Sequence, residues 1–224
     1  MMNTHTLNFK RHLDELDSDV ETLLNIVAKK YRKYDPGNYL YRLLFEQPNS
    51  GDHFSDEFLE LVYVTLTAWG MRSRGASLTE FEVFRDSIIM YEDGIKSLKG
   101  FRIESIKKDK VKYILEAQKI LYDDLELVPP DKPKLVAFSK TMHFLLPNLF
   151  VPMDRKYTLG YFLGYTSFSG TSDRVFDLYC SLYLEFLEFS NKHPELSGFI
   201  DDNWNQTIPK ILDNIIIGFM KRNY

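Results

Sequence analysis

Lys140, His143 and Asp154 are the residues of this chain whose types and spacing are best suited to chemistry. They lie within one stretch, "SKTMHFLLPNLFVPMDRKY", residues 139–157. A lysine amine desolvated by burial acts as a nucleophile toward a carbonyl, and a charged one holds an anion. An aspartate nearby stabilises positive charge developing on a sugar, and a histidine transfers protons. Each also has a structural reading. The Lys140 stem can cover an aromatic ring, and His143 can be a satisfied residue at the core boundary. Asp154 follows Pro152 and precedes "RKYTLGYF", where its carboxylate would accept backbone N–H bonds as a helix cap. Capping keeps the carboxyl ionised, so it is compatible with an electrostatic role.

Other residues would complete a site. Arg72 and Arg74 close the apolar segment "TAWGMRSRG". They either complement the end of that helix or point into one cleft with Lys140 and bind an anion. Arg155 would hold phosphate beside them. Trp69, Phe144 and Tyr157 offer stacking surface, or are core. No metal is expected, because His5, His12, His53 and His193 are scattered and no carboxylate cluster has ligand spacing. There is no phosphate loop, nucleophile elbow or dinucleotide fingerprint, so no cofactor is implied.

The elements that must position these residues read as helices. Residues 134–146 place Leu135, Phe138, Met142, Leu145 and Leu146 on one face, with Lys140 and Phe144 nearly opposite. Residues 56–72 are apolar almost all round from Leu59 onward, as a central helix would be, with Gly75 a plausible left-handed cap. An N-terminal amphipathic helix runs over 7–34 until "DPGN" breaks it. Thr79 and Glu82 have capping-box spacing for the next helix. Further helices are expected over about 109–127, 154–163, 173–190 and 208–222, with Pro209 in the first turn of the last. The fold expected is all-α, a bundle of about eight or nine helices around a central apolar one. It forms a single domain over 1–224, with "PPDKP" (129–133) as a joint between two lobes.

Composition bounds the partners. The 224 residues are 44% hydrophobic and 27% charged, and the single cysteine, Cys180, excludes an internal disulfide. A net charge of −4 argues against coating nucleic acid nonspecifically. The stretch 96–112 is different, with seven Lys or Arg against two acids. It offers either an electrostatic footprint for a nucleic-acid backbone or a solvated helix face. No apolar run matches a signal peptide or a membrane span, so an intracellular, cytoplasmic protein is expected.

"TAWGMRSRG" together with "SKTMHFLLPNLFVPMDRKYT" resembles a group of small helical proteins. These carry Trp-Gly-Met-Arg, then Ser/Thr-Lys, then Pro-x-Asp-Arg-x-Tyr/Phe. That resemblance spans about a third of the chain and implies a helical fold, without implying a reaction. The chain also resembles, more faintly, the helix-hairpin-helix DNA glycosylases, all-α proteins in which a helical lysine precedes an aspartate in a Pro-x-Asp turn. Lys140 and Pro152-Met153-Asp154 would match these features. The glycine-bearing hairpin of that family is not found in "PPDKPKLVAFS". Two functions follow as expectations. One is a noncatalytic module binding a protein or a small anion. The other is a nucleic-acid-processing enzyme of glycosylase or lyase type using Lys140 and Asp154.

Overall fold

Amphipathic and apolar periodicity produces helices throughout. The computed structural model describes residues 4–17, 19–46, 52–71, 77–164, 166 and 170–222, and no strand occurs among them. In chain order the helices are α1 (Thr4–Asp17), α2 (Val20–Lys30), α3 (Pro36–Glu46), α4 (Asp56–Leu66), α5 (Phe81–Met90) and α6 (Glu92–Ser97). They continue with α7 (Lys108–Asp124), α8 (Leu135–Leu145), α9 (Gly160–Leu163), α10 (Ser172–Lys192) and α11 (Ile208–Arg222). No helix among the described residues is long and apolar enough to cross a membrane.

The fold class is the all-α one expected, with differences in detail. The N-terminal stripe is divided between α1 and α2, and α2 stops at Lys30, where Tyr31 turns extended. Helix α5 begins at Phe81 with Glu80 at its cap, so Thr79 and Glu82 do not form a capping box. Instead the Thr79 N–H bonds to the Leu127 carbonyl at 3.2 Å. Gly75 lies outside the described residues. The left-handed glycine near that position is Gly70, φ 85°, inside a π-helical turn that extends α4 over Thr67–Met71.

The helix buried on every side is α8 rather than α4. All eleven residues of α8 are buried, including Ser139, Lys140, Thr141 and His143, whereas α4 leaves Val64 43% exposed. Lys140 and Phe144 therefore do not form a solvent-facing stripe. Buried residues from Phe9 to Ile216 form one hydrophobic core on both sides of Pro129–Pro133. Lys134 caps the end of α7 there, its Nζ donating to the carbonyls of Tyr122 (2.6 Å) and Leu125 (2.7 Å).

Helix α11 packs closely along α2. A Cβ at Gly218 would lie 2.3 Å from the Leu23 carbonyl oxygen, so only glycine permits the approach. Arg222 pairs with Asp19 at 2.7 Å at one end of the contact. This packing fixes α11, which carries the Lys210–Asp213 pair.

Candidate functional site

The segment that returns from α8 is clamped to it by two polar side chains. Ser139 Oγ accepts the Met153 N–H at 3.1 Å, and His143 Nδ1 donates to the Phe150 carbonyl at 2.8 Å. Asp154 is thereby placed one helix turn's reach from Lys140. Its Oδ2 accepts from Lys140 Nζ at 3.0 Å. Its Oδ1 accepts the N–H groups of Lys156 (2.7 Å) and Tyr157 (3.4 Å) and so caps the π-helical turn Arg155–Leu159 ahead of α9. Thr158 Oγ1 completes the cap by accepting the Asp154 N–H at 2.9 Å. Cap and ion pair thus use different oxygens of one carboxylate. Burial pushes the Asp154 carboxyl up, but the Lys140 charge and hydrogen bond and the two backbone N–H groups together hold it below the usual aspartate value.

A second pair stands beside the first. Lys210 Nζ bonds Asp213 Oδ2 at 2.5 Å, an i,i+3 pair inside α11 with side chains 1% and 6% exposed. Burial lowers the Lys210 pKa, and the Lys140 charge adds to that; burial raises Asp213, against the attraction of Lys210. The two pairs influence one another and form one four-charge network, buried at Lys140, Lys210 and Asp213 and half-buried at Asp154. Trp69 lies against both ammonium groups, with Lys140 Nζ and Lys210 Nζ each 5.4 Å from its ring centre. Lys210 is closer still to Trp204, at 4.0 Å.

The aromatic walls are fixed by backbone contacts. Trp69 Nε1 donates to the Gly37 carbonyl at 3.2 Å, and a Cβ at Gly37 would come within 3.0 Å of the indole. The Trp204 loop is folded around Asp201, whose Oδ1 accepts the N–H groups of Asn203, Trp204 and Asn205 at 2.7 to 3.0 Å. Asn214 of α11 anchors the loop by donating to the Trp204 carbonyl at 3.0 Å. Lys140, Asp154, Lys210, Asp213, Trp69, Trp204 and Tyr157 all line one cleft of about 470 Å³, a volume in the range of small-molecule sites.

The other expected residues are placed differently. His143 is fully buried behind the cleft and does not face it, so the acid–base role expected of it is corrected to a positioning one. Its Nδ1 must carry the proton given to the Phe150 carbonyl, so Nε2 accepts from the Tyr41 hydroxyl at 3.1 Å. Burial, with the Lys210 charge, pushes its pKa down to about 3, and the ring stays neutral. Phe144 is buried against the Trp69 ring, centroids 5.0 Å apart, and so supports the wall rather than the ligand. Arg155 is half-buried and does not contribute to the described lining. Arg72 and Arg74 lie outside the described residues. Among the described residues no group of three His, Cys, Asp or Glu could hold a metal ion.

Sequence reasoning missed Lys210, Asp213, Trp204 and Tyr41. A signal existed in "IPKILDNIII": Lys210, Asp213, Asn214 and Ile217 fall on one face beside the apolar stripe. Tyr41, fully buried, stacks on Trp69 at 5.4 Å and on His143 at 5.9 Å, and nothing local in the sequence marks it.

Compared with known proteins, the chain matches no family model, no curated protein and no solved structure. Both resemblances therefore rest on their motif residues.

Proposed function

We propose that the protein is a binding module whose cleft takes a small, planar, polar molecule of nucleobase size. One observation carries this reading: both tryptophans of the chain meet two Lys–Asp pairs from distant segments on a single cleft. Burying such a network costs several kcal/mol per ion before pairing, and an apolar core would often be as stable. A stability role alone therefore accounts poorly for it. The described lining holds three carboxylates, Asp35, Asp154 and Asp213, against two ammonium groups. A bare anion finds no unpaired cation there, whereas a heterocycle with donors and acceptors along its edge meets both kinds of partner. The indole faces supply stacking, about 1–3 kcal/mol per base.

Tryptophan emission tests this directly, because Trp69 and Trp204 are the chain's two tryptophans and both line the cleft. Titration with nucleosides is expected to change the emission saturably, and Lys140→Met or Lys210→Met to weaken the response at least about tenfold, the loss of one charge-assisted hydrogen bond. A response that never saturates would refute the reading.

The 3.0 Å contact between Lys140 Nζ and Asp154 also supports a second reading, a lyase of the glycosylase type. There the Lys140 amine would attack C1′ of an abasic sugar, forming a C–N bond and releasing water as the imine closes. Asp154, its pKa lowered by Lys140 and two backbone N–H groups, is a weak base toward the proton the amine must lose, which is why binding is preferred. Borohydride trapping on abasic-site DNA discriminates: an adduct abolished by Lys140→Ala supports the lyase, and no adduct rejects it.

A further inference from the structure

The cleft does not end at its aromatic walls. Asp35 and Asn38, which line it, also line a neighbouring groove of about 650 Å³ with Lys29, Lys30, Arg32 and Lys221. Four cations there face one carboxylate, and the Oδ1 of that carboxylate is engaged by the Gly37 N–H at 3.0 Å. Among the described residues, none of the four cations forms an ion pair. Lys29, Lys30 and Arg32 are exposed.

The contrast with the basic stretch 96–112 is informative. There Lys96 pairs with Glu92, Arg102 with Glu104, Lys110 with Asp109 and Lys112 with Glu116. Four of its seven cations thus meet carboxylates of the stretch or its flanks, whereas among the described residues the four cations of the groove between α2 and α11 have no ion-pair partner. The cationic field also reaches the cleft wall. Lys156 Nζ and Lys221 Nζ lie 5.3 Å and 5.9 Å from the ring centre of Tyr157, which lines the cleft. Lys221 is destabilised as a cation by burial and then by Lys30 and Lys156, a like-charge crowding that a bound anion relieves.

We infer that the ligand is a nucleoside phosphate, its base in the aromatic cleft and its phosphate in the groove formed by Lys29, Lys30, Arg32 and Lys221. The inference rests on the proposed base-binding role of the cleft and adds a second, electrostatic half to it. A free nucleotide and an unpaired nucleotide of a single strand present the same chemistry. Duplex DNA does not, since its base must first leave the stack.

Calorimetric titration of the full chain with a nucleoside, its 5′-monophosphate and a short single-stranded oligonucleotide tests the inference, with inorganic phosphate as a separate probe. Lys30→Glu/Arg32→Glu is the principal variant, because both side chains are exposed and outside the core; Lys221→Glu is the second. The monophosphate is expected to bind at least about tenfold tighter than the nucleoside, as a charge-assisted contact provides. That advantage should shrink with added salt and vanish in both variants, while nucleoside affinity stays unchanged in Lys30→Glu/Arg32→Glu. Tighter binding of the oligonucleotide than of the monophosphate identifies a strand as the source; equal affinity identifies the free nucleotide. Equal binding of nucleoside and monophosphate overturns the groove assignment and leaves the base site standing. Binding of inorganic phosphate without nucleoside binding overturns the base site and leaves the groove. Binding of none of the probes overturns both.

Discussion

His143 is the residue whose surroundings fix its behaviour most completely. Held neutral between the Phe150 carbonyl and the Tyr41 hydroxyl, it has a pKa of about 3 against the ordinary 6.5. Between those two values the unfolded chain binds a proton that the folded one does not. Stability therefore rises with pH across that window and is lost as the pH falls, by about 1.4 kcal/mol per pH unit from this group. Denaturant unfolding at several pH values should show that slope reduced in His143→Gln. The Lys210–Asp213 pair makes a second prediction. Lys210→Ala leaves Asp213 buried without its counter-ion and should cost about 3–5 kcal/mol, whereas Lys210→Met/Asp213→Leu should unfold at or above the wild-type denaturant concentration. Asp154 shows why a residue can fit two readings: Oδ1 caps and Oδ2 pairs, and neither function excludes the other.

Helices α2 and α11 set the geometry of both halves of the site. Gly218→Ala would gain up to about 1 kcal/mol of helix propensity. It would also force the helices apart at Leu23, where the added Cβ falls 2.3 Å from a carbonyl oxygen, and such overpacking costs about 1–3 kcal/mol. The expected result is a lower midpoint of unfolding together with weaker nucleotide binding, since Lys221 and Lys210 shift with the helix. Gly37→Ala tests α3 in the same way. Its Cβ would press on the Trp69 indole at 3.0 Å, and the expected outcome is altered tryptophan emission in the unliganded protein. The range of α11, Ile208–Arg222, was legible because Pro209 and a strong apolar stripe mark it. The burial of α8 was not. Periodicity assigned it a core face and a far face, and only tertiary packing reveals what covers the far one: Trp69 against Phe144, and the cleft with Asp154 and Trp69 at Lys140.

For the molecule as a whole, the charge balance divides into regions that composition averages away. A net charge of −4 conceals an unneutralised basic groove at the junction of residues 29–38 with α11. In the denser basic stretch 96–112, four of the seven cations are paired with nearby acids. Sequence density pointed to the second region, because local counting cannot see which cations meet carboxylates and which converge from distant segments. The same limitation applied to the cleft. Lys140 and Asp154 were legible as fourteen-residue neighbours with a turn between them, whereas Lys210 and Trp204 join them only through tertiary packing. In the proposed function these residues hold a planar polar ligand against the two tryptophans. The most direct test is tryptophan emission titrated with nucleosides in the wild type and in Lys210→Met/Asp213→Leu. A saturable change is expected in the wild type and is lost in the variant, although the variant remains folded. A linear, unsaturable quench of equal slope in both proteins would contradict it.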